Sequence, residues 1–305
     1  MGNNNPLVSV IVPNYCHSMY LDERILSILN QTYNNFELII LDDCSPDNGA
    51  SRSVIEKYRD NSHISQIIFN EKNSGSTFKQ WEKGINLAKG EFIWIAESDD
   101  SCDNLLLQSL VEALDSDSNA SVAFCKSVAF NEHGLWTPIG YQGDCDEVME
   151  GSLFIHDRMR SGTGILNASS ALFRKDYLFR IKGMYKSFRA SGDRMFWIEM
   201  AEHGKVIYVS TGLNKYRMHL NNSTKKNGAS GINQREDKII LDYLLQKKYI
   251  SSLEYKECTD QYVRVHIFEM ITDRKLKKEL YKVWNVNLFR QYLYRIKSWK
   301  KRLFQ

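Results

Sequence analysis

Short apolar runs at 8–12, 36–41, 64–69 and 92–96 alternate with stretches whose apolar residues recur at helical spacing. Strands separated by helices of about 10 to 15 residues leave a chain few choices. They imply βαβ units, right-handed crossovers and a mostly parallel sheet flanked by helices. Leu21, Ile25, Ile28 and Leu29, set among Asp22, Glu23, Arg24 and Asn30, predict one amphipathic helix. Phe78, Trp81, Ile85 and Leu87 predict another, stopped by Gly90 in the usual role of a C-terminal glycine. Residues 105–114 read as helix, 122–124 as a fifth strand, and 206–209 and 213–218 as two later strands. The glycine-bearing segment 126–190 has room for a second small sheet and an acceptor-side loop, and the pattern beyond Gly231 is helical.

In parallel α/β sheets, ligands bind beyond the carboxyl ends of the strands. Here those ends carry Pro13, Asn14 and Tyr15, then Asp42 and Asp43, then Asp99 and Asp100. A pair of carboxylates at a strand end has two explanations. One is capping of the following turn or helix. The other is a divalent cation bound by hard oxygen ligands together with substrate phosphates. Two such pairs in one crevice favour the second. No G-x-G-x-x-G or G-x-x-x-x-G-K-[ST] follows the first strand, so diphosphate charge is not met by a glycine-rich loop. A G-x-S-x-G elbow and an H-E-x-x-H pair are also lacking.

Composition narrows the class further. The chain has 305 residues, 43% of them hydrophobic and 25% charged, which suits a globular protein and not a disordered one. No apolar run approaches the ~18 residues of a membrane span, and the N-terminus shows no basic segment leading into an apolar core. The six cysteines are scattered without a C-x-x-C pair, which fits small buried hydrophobes in a reducing compartment. A cytoplasmic location is therefore expected. From Arg274 onward, eleven basic residues face the single acid Glu279, so the remaining 29 basic residues face 36 acidic ones. An acidic body with a basic tail divides the chain at about residue 225, where a polar, glycine-containing stretch begins.

These motifs together resemble the family 2 glycosyltransferases of GT-A fold. The resemblance spans about residues 6–225. It rests on VSVIVPNY at 8–15, LSILNQTY at 26–33 and FELIILDD at 36–43 with Ser45. It continues with NSG at 73–75, AKGE at 88–91, ESDD at 97–100, SGD at 191–193 and YRMH at 216–219. It implies a GT-A (nucleotide-diphospho-sugar transferase) fold over residues 1–225, with a mixed, mostly parallel central sheet and a helical C-terminal extension over 226–305. It also implies an inverting transfer of a sugar from a nucleotide-diphosphate donor, UDP being the expected nucleotide. The acceptor would be a glycan or lipid-linked hydroxyl in surface polysaccharide, lipopolysaccharide or glycan synthesis. Pro13 and Tyr15 would line the nucleotide pocket, Asp43 would bond the base, and Asp99 would face the ribose. Asp100 would hold Mg2+ or Mn2+ against the diphosphate, and Asp193 would be the general base. His219 would reach the metal or diphosphate, or else lie in a surface loop. Arg217 would neutralise phosphate or pair with a carboxylate.

Two departures from the family pattern stand out. Glu97 replaces the usual aspartate, and Gly192-Asp193 replaces the usual Glu-Asp pair; Glu199 and Glu202 are the alternative acids on that helix. A non-catalytic nucleotide-sugar or carbohydrate-binding module keeping the same fold is the competing reading.

In the last helix Leu288, Tyr292, Ile296, Trp299 and Leu303 share one face, interleaved with basic residues. Such a helix suits peripheral contact with an anionic membrane, or packing on the body or on a second subunit. With an acidic body and no recognition motif, nucleic acid is not an expected partner.

Overall fold

The computed structural model describes residues 5–131, 133–134, 136–160, 162, 164–219 and 228–303, with the backbone alone at 295 and 297–303. The chain divides into two compact units, Met1–His219 and Leu220–Gln305. The expected boundary at 225/226 lies outside the described residues.

The first unit is built on one ten-stranded sheet. β1 (Val8–Asn14), α1 (Ser18–Leu29), β2 (Phe36–Asp42), α2 (Ala50–Glu56), β3 (Ile64–Phe69), α3 (Thr77–Leu87) and β4 (Phe92–Ile95) form the alternating half. Its strands are parallel in the order β3-β2-β1-β4. Then come β5 (Ser101–Cys102), α4 (Leu106–Ser116), β6 (Ala120–Phe130), β7 (Trp136–Ile139), β8 (Glu147–Met149), α5 (Gly151–Phe154), β9 (Ala171–Arg174), α6 (Gly192–Ala201) and β10 (Lys205–Arg217). β9 lies antiparallel between β4 and β6, and β10 runs parallel to β6. β4, β6 and β10 therefore point the same way as β1, and their carboxyl ends open on one side.

Alternation along β1 explains the layering. Val8, Val10 and Val12 join Leu21, Ile25 and Ile28 of α1 and Leu106, Leu107 and Leu110 of α4 in one core. Ile11 points to the other face, where α3 crosses at Gly84. A Cβ there would stand 2.3 Å from Ile11 Cγ2, so only glycine permits this approach.

Several details differ from the sequence reading. Segment 126–190 does not form a second sheet; β7, β8 and β9 all join the first one. The runs 206–209 and 213–218 are one strand, whose register slips between Val209 and Asn214. Gly90 does not close α3, which ends at Ala88 in extended conformation. Instead Gly90 N–H donates to Ser9 Oγ at 2.8 Å, and a Cβ there would collide with the Leu7 carbonyl. Among the described residues no disulfide forms, and of the six cysteines only Cys102 and Cys125 are buried.

The second unit comprises α7 (Ile232–Gln246), α8 (Ser252–Tyr262), α9 (Arg274–Val283) and α10 (Leu288–Leu303). Trp284 is buried there, stacked on Tyr262 at 4.5 Å, with its Nε1 donating to the Gln234 carbonyl. Among the described residues no helix is long and apolar enough to cross a membrane.

Candidate active site

The second strand end shows both uses of a carboxylate pair. Asp42 Oδ1 accepts from Asn14 Nδ2 and Ser45 Oγ, both at 2.7 Å, and Oδ2 accepts from Ser45 N–H. Its role is to close the turn after β2. Asp43 is 4% exposed and surrounded by donors. Asn70 Nδ2, Ser74 N–H and Gln80 Nε2 reach Oδ1, while Asn73 Nδ2 and Ser74 Oγ reach Oδ2. Asp43 thereby organises the loop at 70–76, and a nucleobase bonded to it must displace one of these donors. Pro13 is buried in β1 opposite Leu41, and Tyr15 stands 46% exposed at the mouth beyond it.

The third strand end departs most from expectation. His219 Nε2 lies 3.0 Å from Asp99 Oδ2, not on Asp100. His17, which sequence reasoning missed, faces the same carboxylate oxygen through Nε2 at 4.0 Å, while its Nδ1 sits 2.9 Å from Ser98 Oγ. The two imidazoles meet edge to face at 5.6 Å. His17 precedes α1, Asp99 follows β4 and His219 follows β10, so three strand ends supply the cluster. Its candidate ligand atoms all lie within 4.8 Å of one another. Two imidazole nitrogens and a carboxylate oxygen form a donor set able to hold a divalent cation.

Asp100, the expected metal ligand, points into the protein and is 1% exposed. Its Oδ2 accepts from Asn167 Nδ2 at 2.5 Å and its Oδ1 from Arg217 N–H at 3.0 Å. Asn167 Oδ1 in turn accepts from Asn214 Nδ2. Arg217 extends the same clasp, its Nε donating to the Asp99 carbonyl at 2.8 Å and its far end pairing with Glu23.

Crowding of acids in a dry site sets the charge balance. Burial, with Asp99 and Asp100 nearby, pushes the Glu97 carboxyl up to about 8, although Trp81 Nε1 donates to it. Burial and Asp99 push Asp100 up to about 7. Burial also disfavours charge on Asp99, but the His219 hydrogen bond and the nearby His17 outweigh it and hold this carboxyl low. Arg24 is 0% exposed, with its guanidinium 4.8 Å above the Trp94 ring and its positive charge acting on Asp100. Among the described residues none of its nitrogens has a hydrogen-bond partner.

Asp193 sits in the first turn of α6, its Oδ1 accepting from Arg194 N–H at 2.7 Å. Its charge adds, after burial, Asp99 and Asp100, to the upward push on the Glu97 carboxyl. Glu199, an alternative, is buried and accepts from Met184 and Tyr185 N–H, so it anchors the loop before α6. Glu202 lies at the far end of that helix.

A mixed sheet whose parallel strand ends gather acids and histidines at one mouth is the architecture shared with solved GT-A glycosyltransferases. The chain belongs to glycosyl transferase family 2, whose profile matches residues 9–179. TuaG of Bacillus subtilis (strain 168), a glycosyltransferase named for teichuronic acid biosynthesis, is 26% identical over 228 residues, covering 74% of this chain and 84% of TuaG. The crystal structure of S. aureus TarS 1-349 in complex with UDP-GlcNAc shares the fold, with TM-score 0.64 and 18% identity over 93% of this chain and 77% of that one. So does the mannosyltransferase PcManGT from Pyrobaculum calidifontis in complex with GDP-Man and Mn2+, with TM-score 0.60 and 12% identity over 97% of this chain and 80% of that one.

Proposed function

We propose that the protein transfers a sugar, with inversion, from a nucleotide-diphosphate donor to a hydroxyl of a cell-surface glycan or its lipid-linked precursor. The observation that carries this reading is the convergence of His17, Asp99 and His219 from three strand ends. UDP is the favoured nucleotide, because a relative of the same fold binds UDP-GlcNAc. Teichuronic acid synthesis in the name of TuaG supports a surface polymer as product.

The residues divide the work. Pro13 and Tyr15 border the nucleotide, and Asp43 shapes the loop against which the base rests. Asp99, His219 and His17 would hold the divalent cation, Mn2+ before Mg2+, which would supply positive charge where the diphosphate departs. Asp100, gripped by Asn167 and Arg217 N–H, keeps the turn in place. Asp193 accepts the proton of the attacking hydroxyl, a contribution of ~10²- to 10⁴-fold. Attack from the face opposite the leaving group inverts the anomeric centre in one displacement, and no covalent intermediate is required.

A thermal-shift screen of nucleotide sugars with Mn2+ tests the reading, since a ligand at about 100 times its Kd stabilises by ~2.7 kcal/mol. Slow donor hydrolysis that stops on chelation is expected. A protein that is stabilised by donor yet never hydrolyses it is instead a binding module.

The tail completes the proposal. Leu288, Phe289 and Tyr292 of α10 are exposed on a strongly basic helix, which suits docking on the inner face of the cytoplasmic membrane. Each basic residue near an anionic surface contributes ~1 kcal/mol. The side chains of Trp299 and Leu303 lie outside the described residues. Full-length protein should float with anionic liposomes and a truncation ending at Asp273 should not; equal flotation of both rules this out.

A further inference from the structure

A stacked column runs outward from the acidic turn. The Arg217 guanidinium, on the residue whose Nε holds the Asp99 carbonyl, lies 4.8 Å from the Tyr20 ring centroid and 4.3 Å from that of Phe130. Phe130 closes β6 and is buried. Its other neighbour is Trp136 of β7, stacked at 5.1 Å with only 18° between the planes. Among the described residues the column stops there. Trp136 has one face against Phe130 and is 54% exposed overall.

The platform is fixed relative to the acids by two separate ties. Trp136 pairs with Phe130 at one end of β7, and Ile139 pairs with Ser127 at the other. Just beyond, Gly140 packs so closely on Leu166 that a Cβ would lie 3.2 Å from the Leu166 Cβ. The next residue, Asn167, donates to Asp100. One end of β7 is thus connected to Asp99 through Arg217, and the other to Asp100 through Asn167. Because β6 points the same way as β4, this hairpin stands at the mouth where the acids open.

Single exposed apolar side chains are ordinary on a protein surface. Trp136 differs in being stacked on a buried ring next to the acidic turn while more than half exposed. An indole face offers no conventional donor or acceptor and matches a flat apolar surface with a polar rim. The C–H face of a pyranose ring is such a surface. A rigid two-torsion side chain also loses little entropy on contact.

We propose that Trp136 is an acceptor subsite that stacks against a pyranose ring of the glycan receiving the sugar. This rests on the glycosyltransferase reading above. The test is saturation-transfer NMR on the full chain with UDP and Mn2+ present, using the methyl β-glycosides of glucose, galactose, N-acetylglucosamine and N-acetylgalactosamine as probes. At least one should receive saturation chiefly on its ring C–H protons. Its affinity should fall about tenfold or more in Trp136→Ala and largely recover in Trp136→Phe, which also serves if the alanine variant folds poorly. Equal affinity in Trp136→Ala overturns the proposal, as does the absence of saturation on every probe with the unaltered protein. Loss of Mn2+ affinity in step with glycoside affinity also overturns it, because Trp136 would then act by supporting Arg217 and Asp99. Failure of the glycosyltransferase reading shows separately, as absent donor hydrolysis in the unaltered protein.

Discussion

His17 presents its two ring nitrogens to different residues: Nδ1 lies 2.9 Å from Ser98 Oγ, and Nε2 faces the Asp99 carboxylate at 4.0 Å. This is how a histidine is held to offer Nε2 to a cation, since the partner of one nitrogen fixes the orientation and proton position of the other. His17→Ala is expected to weaken Mn2+ binding by about tenfold, or roughly 1.4 kcal/mol, and His219→Ala by at least as much. Ser98→Ala should cost part of the same affinity through misorientation. Isothermal titration of the three variants with Mn2+ alone, without donor, measures this. An unchanged Kd in His17→Ala removes it from the ligand set.

Asp193 should separate chemistry from binding. A base that acts only on the attacking hydroxyl contributes to the transition state and not to donor affinity. Asp193→Asn should therefore lower kcat by about 10²- to 10⁴-fold while the donor Kd stays within about threefold. Calorimetry showing a collapse of donor affinity in that variant would assign Asp193 to the donor side.

Much of the fold was legible because the βαβ half obeys simple periodicities: β1 to β4, α1, α3 and α4 fall close to the predicted segments. The second half was harder for a physical reason. β6, β9 and β10 pair across long sequence separations, and local pattern carries no information about partners. Glycine roles were ambiguous in the same way, for Gly84 and Gly90 are dictated by what crosses them, Ile11 and β1, and not by a turn. At the site, the acids were visible as strand-end pairs, but which oxygen faces the mouth was not. Asp99 turns toward His17 and His219, while Asp100 turns toward Asn167. Arg24 fell among the polar residues of an amphipathic helix, yet it is fully buried beside Trp94.

Glu97 predicts a pH dependence. Its folded pKa, about 8, stands well above the ordinary carboxylate value, chiefly through burial and the neighbouring Asp99 and Asp100. The folded state therefore holds a proton that the unfolded chain releases near pH 4.5. The associated stability is fully present below that pH and is lost as pH rises through about 8. With chelator present, urea unfolding between pH 5 and 9 should show this decline in the unaltered protein. In Glu97→Gln, which keeps a neutral side chain at the same place, the decline should be smaller. Parallel profiles for the two proteins would exclude Glu97 as its source.

Glu37 carries the opposite sign. Ser9 Oγ and Lys89 N–H both donate to its Oε1 at 2.6 Å, and although burial disfavours its charge, these bonds hold its carboxyl below the ordinary value. The stability it contributes is present above about pH 4.5 and is lost as pH falls through the lower folded pKa. Ser9 Oγ also accepts from Gly90 N–H, so this one hydroxyl ties β1 to β2 and to the turn before β4. Ser9→Ala should cost about 1 to 3 kcal/mol at neutral pH, because it leaves a buried carboxylate and a buried N–H without that partner. It should also flatten the acid limb of the stability profile, since Glu37 then loses part of what favours its charged form. Glu37→Gln should flatten that limb as well. Chemical denaturation of the three proteins at pH 7, 5 and 3.5 measures both effects, and an acid limb unchanged in Glu37→Gln would assign the acid sensitivity to other carboxylates.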